Sequence, residues 1–285
     1  MPPHAEHHEH VVSPALAPLV QRAVGYRLSG FPPGVHVGMP SGSLTLVIPL
    51  DAPLTLSGPL GDPSAYGSVL AGLSAAPTRI HHDGNQHGIQ LALRPGAARA
   101  LFDCRAAEIV DGSFELGDVL GADADRLRER LHESDSWDRR FELVERLLLG
   151  RLAAGRTGGG GDRRPRAEVA EAWRLIRRAR GSVAISEVAG RLGWSMRHLQ
   201  LEFAAEFGLT PKAVAKVSRF ERSVPLVAAG SAPLAEVAVQ CGYADQGHLT
   251  RDWRALAGTS PARWRRQDTL ANATRETEPA QRHTD

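Results

Sequence analysis

Seven residues in the last third of the sequence suit the edge of a base pair: Arg197, Gln200 and Leu201, then Gln246, Gly247, Thr250 and Arg251. A guanidinium can donate two parallel hydrogen bonds to guanine O6 and N7. A glutamine amide pairs in the same two-pronged way with adenine, and Leu201 or the Thr250 methyl can pack on a thymine methyl. The arginines around them, among them Arg174, Arg177, Arg178, Arg219, Arg222 and Arg263, read more simply as phosphate contacts or solvated faces.

Such groups can act only if an element holds them on one exposed face, and the sequence supplies that element twice. Laying Ile185 onward over Leu234 onward, at an offset of 49, aligns Glu187-Val188-Ala189 with Glu236-Val237-Ala238, Gly193 with Gly242 and Trp194 with Tyr243. One inserted residue later, Leu199 aligns with Leu249, Phe203 with Trp253, Gly208 with Gly258 and Pro211 with Pro261. Each copy predicts a short helix closed by a glycine, a tight turn, and a second helix capped by Ser195 or Asp245. The buried stripe of the second helix is Leu199 and Phe203, then Leu249 and Trp253. The seven residues fall on the opposite face. This is the helix-turn-helix pattern. Between the copies, Pro211 to Gly230 reads as one connecting helix of 20 residues, about 30 Å long. It could hold two recognition helices in successive major grooves. Pro225, inside it, should kink the helix or shift its carbonyl partners.

Charge marks the same block. Residues 163–267 carry 18 Arg and Lys against 9 Asp and Glu, whereas residues 1–162 carry 14 Arg against 19 acids, so the net charge of +2 hides two domains of opposite sign. A basic block attracts polyanions, nucleic acid first among them. The run Gly158-Gly159-Gly160-Gly161 between the halves reads as a linker, with no Gly-Lys-Ser/Thr to make it a phosphate loop. At 285 residues, with 42% hydrophobic and 23% charged side chains, two globular domains are expected. The domain boundaries read as a disordered arm at 1–18, a sensing and dimerising domain at 19–155, a linker at 156–166, a DNA-binding domain at 167–267 and a disordered tail at 268–285. Cys104 and Cys241 are too few for a disulfide framework, so a reducing, cytoplasmic location at the nucleoid is expected.

The block from about Ala167 to Gln267 resembles the DNA-binding domain of the AraC/XylS family of bacterial transcription regulators. The resemblance rests on Ile185-x-x-Val188-Ala189-x-x-x-Gly193-Trp194-Ser195-x-x-x-Leu199-x-x-x-Phe203, on Gly208-x-Thr210-Pro211, and on Arg219-Phe220. It is closest over Gly242-Tyr243-x-Asp245-Gln246-x-His248-Leu249-x-Arg251-x-Trp253 and Gly258-Thr259-Ser260-Pro261-x-x-Trp264-Arg265. Trp253 stands where phenylalanine is commoner, Trp264 where tyrosine is, and Leu201 where the family often has a longer polar residue. The resemblance implies sequence-specific promoter binding through the seven residues named above.

The acidic half reads as a small β-barrel or sandwich, cupin-like in the resemblance. Short apolar runs (Gly25–Ser29, Val35–Met39, Leu44–Pro49, Leu54–Ser57, Tyr66–Leu73, Thr78–His81 and Gly88–Arg94) are cut by glycine and proline. Helical patterns follow at 97–102, 123–133 and 136–153. The last carries an apolar face of Trp137, Phe141, Val144, Leu147, Leu148 and Leu152, which reads as core ahead of a dimer seam. The fold class expected is therefore α+β with two domains: a barrel with helices, then an all-α double helix-turn-helix. By analogy the barrel would sense a small molecule.

His81, His82 and His87 lack the spacing of a metal set, His4, His7, His8 and His10 read as part of the arm, and Cys104 reads as an inert core thiol. No metal, cofactor or catalytic residue is expected. The partners expected are double-stranded promoter DNA, a small-molecule effector, RNA polymerase and a second copy of the chain. Two other readings compete: a barrel enzyme with an accessory DNA-binding domain, for which no Gly-x-Ser-x-Gly or His-Glu-x-x-His is present, and a non-specific architectural nucleic-acid-binding protein.

Overall fold

The computed structural model describes residues 3–58, 62–157 and 164–267. Among the described residues ten strands and eleven α-helices follow one another in an order that separates the two halves. The strands are β1 (His4–His10), β2 (Val20–Ser29), β3 (Gly34–Gly38), β4 (Leu44–Pro49), β5 (Leu54–Ser57), β6 (Ser64–Tyr66), β7 (Val69–Ala71), β8 (Thr78–His82), β9 (Gln86–Leu93) and β10 (Ser113–Glu115). They form two antiparallel sheets, in the orders β1-β2-β9-β4-β7-β10 and β3-β8-β5-β6. Among the described residues no strand pairing joins the two sheets, so the cupin-like body is an open one and not a closed barrel.

Alternation assigns each face of the six-stranded sheet its own task. Leu46 and Ile48 of β4 and Ile89 and Leu91 of β9 point to the helices, in one core with Leu101, Phe141, Val144 and Leu148. Val47 and Val69 lie in a smaller cluster with Leu56, backed by Leu54, Tyr66 and Ile80 of the second sheet. The helices of this half are α1 (Ala97–Phe102), α2 (Leu116–Leu120), α3 (Ala122–His132) and α4 (Trp137–Thr157), with a 3-10 turn at Ala106–Ile109.

One expectation changes here. The histidine-rich arm is not disordered over residues 4–10: it is edge strand β1, in register with β2 from His4↔Ser29 to His10↔Ala23. Its polar side chains find partners on α4. The His10 ring stacks on Phe141 at 4.4 Å and its Nε2 lies 3.0 Å from Glu145, while Trp137 Nε1 donates to Glu6 at 3.0 Å. The apolar face of α4 is core, the first of its two readings, which leaves its centre unavailable as a dimer seam. Phe141, Val144 and Leu148 are each no more than 2% exposed, closed over by the sheet and by α1.

α4 runs to Thr157, past the start of the expected linker. The glycine run and the tail 268–285 lie outside the described residues. The second half is all helical: α5 (Ala167–Arg178), α6 (Ile185–Arg191), α7 (Met196–Phe207), α8 (Pro211–Ala229), α9 (Leu234–Gln240), α10 (Gln246–Ala257) and α11 (Pro261–Gln267). α8 does not end at Pro225. The ring sits on an exposed position, away from the packed face, and the helix continues to close at Gly230 with φ 62°. Phe220, Trp253 and Trp264, all within 2% of full burial, anchor the second helix-turn-helix to α8, and Trp173 of α5 stacks against Phe203 of the first.

Candidate nucleic-acid interface

Each helix-turn-helix turns at a glycine in the left-handed region, Gly193 at φ 67° and Gly242 at φ 79°, where a side chain would be strained. The second helix then starts from a side-chain cap. Ser195 Oγ accepts from the His198 amide at 3.2 Å, and Asp245 Oδ1 accepts from the His248 amide at 2.6 Å. In both copies the aromatic residue after the glycine packs edge-on against the capped histidine: Trp194 on His198 at 4.5 Å, and Tyr243 on His248 at 5.1 Å. The cap, the turn and the ring together fix the direction in which α7 and α10 leave the domain. Replacing the Asp245 cap by alanine should therefore cost about 1 kcal/mol, and Asp245→Asn much less. A thermal melt reads this, and an unchanged midpoint for Asp245→Ala would show that the cap is dispensable.

Beneath these starts the helices are pinned to the core. Leu199 and Phe203 of α7, and Leu249 and Trp253 of α10, are fully buried, and the Trp253 indole N–H donates to Ser223 Oγ at 2.8 Å. The opposite faces carry the groups singled out from the sequence. Arg197, Gln200, Gln246, Gly247 and Arg251 are exposed, Thr250 is half-buried, and Leu201 is 60% exposed, which is unusual for a large apolar side chain. Gly247 has a second effect. A Cβ there would lie 3.1 Å from Asp245 Oδ1 and 3.5 Å from Arg251 Nη1, so its absence leaves the Arg251 guanidinium room beside the cap. Arg254, Arg263, Arg265 and Arg266 are exposed on α10 and α11.

Two arginines read from the sequence as phosphate contacts or solvated faces have internal work. Arg177 is ion-paired with Glu221 and donates to Ser218 Oγ. Arg219 donates to the Gly181 carbonyl at 2.6 Å and lies over the Tyr243 ring. Arg174 stays on a solvated face, paired with Glu171 of its own helix.

The contacts between the two halves carry no signal in the sequence. Arg99 of α1 forms a forked pair with Glu206 of α7, at 2.9 and 2.7 Å, and Glu206 is buried. Val110, after the 3-10 turn, packs where a Cβ on Gly208 would have to go. The Gly42 amide donates to Glu221 of α8 at 3.0 Å, and Met39 and Ala75 pack against the core of the second motif. These partners are about 100 residues or more apart in sequence. The β-rich half thus touches the C-terminal end of α7 and the middle of α8, leaving the readout faces of α7 and α10 exposed.

The histidines and cysteines behave as isolated groups. His81 Nε2 lies 2.9 Å from Ser57 Oγ, His82 lies against His36, and His87 pairs with Asp51. Among the described residues no group of three or more His, Cys, Asp or Glu side chains gathers in the manner of a metal site. Burial pushes both the Cys104 and the Cys241 thiols up to about 11, with Glu108 and Asp103 adding to the effect at Cys104. Only about one molecule in a thousand or fewer then carries the thiolate near neutral pH. A chromogenic disulfide reagent should label neither cysteine quickly in the native protein and both after denaturation. Rapid native labelling of Cys104 would restore it as a candidate sensor.

Residues 169–267 match the family model described as a helix-turn-helix domain. A search of curated proteins finds no match. Among solved structures, an apo variant of ToxT from Vibrio cholerae is 11% identical with a TM-score of 0.53, covering 85% of this chain and 96% of that one. ToxT from Vibrio cholerae O395 is 12% identical with a TM-score of 0.50, covering 86% and 97%. A transcriptional regulator with an AraC-type DNA-binding domain from Chromobacterium violaceum is 21% identical with a TM-score of 0.33, covering 36% and 93%. At these identities the ToxT likeness is one of fold, and it extends over both halves of the chain. With the duplicated, capped motif in place and its segment matched by the family model, residues 169–267 form a helix-turn-helix domain, and the chain as a whole shares the two-part fold of ToxT.

Proposed function

We propose that the protein is a sequence-specific promoter-binding regulator, in which α7 and α10 enter two adjacent major grooves and the β-rich half holds a small-molecule effector that alters DNA binding. The observation that carries the reading is the readout set: base-pairing side chains exposed on two helices whose starts are capped alike and whose backs are buried alike. Arg197 and Arg251 would take guanine, Gln200 and Gln246 adenine, and Leu201 and Thr250 a thymine methyl, while Gly247 admits the backbone. The 19 residues of α8 span about 28 Å, close to the ~34 Å between half-sites on one face of a duplex.

The effector role draws support from the contacts of α1 and the 39–42 loop with α7 and α8. A shift in the sensing half would act directly on the elements that set the spacing of the two recognition helices. In this reading the β-rich half is a sensor without a catalytic step of its own. RNA polymerase and a second copy of the chain are its further partners, and the protein works in the cytoplasm at the nucleoid. Among the described residues no helix is long and apolar enough to cross a membrane.

Competition between a cognate and an unrelated duplex at fixed salt tests the reading. Arg263→Ala should weaken both duplexes alike, as loss of a phosphate contact does, and should reduce the salt dependence. If wild-type protein shows no preference between the duplexes, only the phosphate attraction is left and an architectural role replaces the regulatory one.

A further inference from the structure

A cavity of about 570 Å³ opens between β1, β2, the start of β9 and the first turn of α4. Its acids are largely spoken for. Glu6 accepts from the Trp137 indole N–H, Asp138 lies 3.5 Å from His8, and Asp51 behind the wall lies 3.0 Å from His87 Nδ1. Asp135 stands exposed at the rim.

The two guanidiniums that line the cavity are not matched in this way. Arg27 is exposed on β2 and makes no ion pair among the described residues. Arg140 lies 5.1 Å over the Trp137 ring, and its Nη1 stands 3.4 Å from His87 Nε2. That nitrogen can accept only while Nδ1 carries the proton toward Asp51. The Arg140 Nε is buried and has no hydrogen-bond partner. Burial, and after it the nearby charge of Arg27, disfavour the charged form of Arg140, while the Asp135 and Asp51 carboxylates favour it. The cavity is also lined by Ser136, Trp137 and Asp138, where the positive end of the 21-residue α4 adds to the same field. Trp137 is held in place because its ring occupies the space that any side chain on Gly25 would need.

We propose that this cavity binds a small organic anion through a carboxylate or phosphate group held between Arg27 and Arg140. The volume suits a compact metabolite, and the polar wall suits one with further hydroxyl or amide groups. The site rests on the effector reading only for its consequence at DNA, not for the binding itself.

The test is calorimetric titration of the full chain in a chloride-poor buffer with inorganic phosphate, and separately with acetate, succinate and benzoate. The two arms separate a phosphoryl from a carboxylate ligand. At least one probe should bind, and Arg27→Gln and Arg140→Gln should each weaken it about tenfold or more, whereas Arg79→Gln on exposed β8 should not. Arg27 is exposed, so its variant keeps the fold even if Arg140→Gln loosens the packing on Trp137. Absence of heat with every probe, or binding undiminished in Arg27→Gln, overturns the site. DNA affinity measured with the binding probe separates the two ideas. Binding through Arg27 with unchanged DNA affinity keeps the site and removes its effector role. A small molecule that alters DNA binding equally in wild type and Arg27→Gln keeps the effector role and places it outside this cavity.

Discussion

Leu148→Glu is expected to leave no stably folded sensing half. Leu148 is 1% exposed, in the core that joins α4 to the six-stranded sheet and α1. The substitution deletes a buried aliphatic side chain, worth about 2–5 kcal/mol, and places a carboxylate in an apolar core. A combined cost above about 5 kcal/mol reaches the whole stability of an ordinary domain. Thermal unfolding followed by circular dichroism should show loss of the β-sheet signal or a midpoint lower by more than about 10 °C. A folded monomer with an unchanged midpoint, obtained from a wild-type dimer, would show instead that the face of α4 is a seam between two chains.

The double variant Arg197→Ala with Arg251→Ala should lose about 2–6 kcal/mol of binding to the cognate site, roughly 30-fold to more than 10⁴-fold, with little change on random duplex. Each arginine is expected to contribute about 1–3 kcal/mol of base discrimination. The two lie on different recognition helices, so their effects should add. Both side chains are exposed and their helices keep their caps and buried backs, so the melting midpoint should hold. Titrations of cognate and random duplex at one salt concentration read the difference. Equal losses on both duplexes would move the arginines from readout to phosphate contact.

The helix-turn-helix halves were legible because their signals are local and repeated. A glycine that must take positive φ, a side-chain cap and an apolar stripe lie within a dozen residues of one another and recur about 50 residues on. β4 and β5 were legible for a similar reason, as apolar runs bounded by glycine and proline. β1 was not, because a strand of histidine and glutamate has no apolar alternation. What holds it is α4, more than 100 residues away, through Phe141, Trp137 and Glu145. The α4 face was ambiguous in principle, since a core stripe and a dimer seam have the same period and only the partner distinguishes them. The pairs Arg99–Glu206 and Arg177–Glu221 show the same limit: an exposed-looking charge on a helix is indistinguishable in sequence from one that clamps two elements.

The most direct test of the double readout is selection of bound sequences from a random duplex library by the intact protein at a stated salt concentration, with and without a small-molecule extract. An enriched site with two boxes about one helical turn apart is the expected result. No enrichment under either condition, from protein shown to be folded, would contradict sequence reading by α7 and α10.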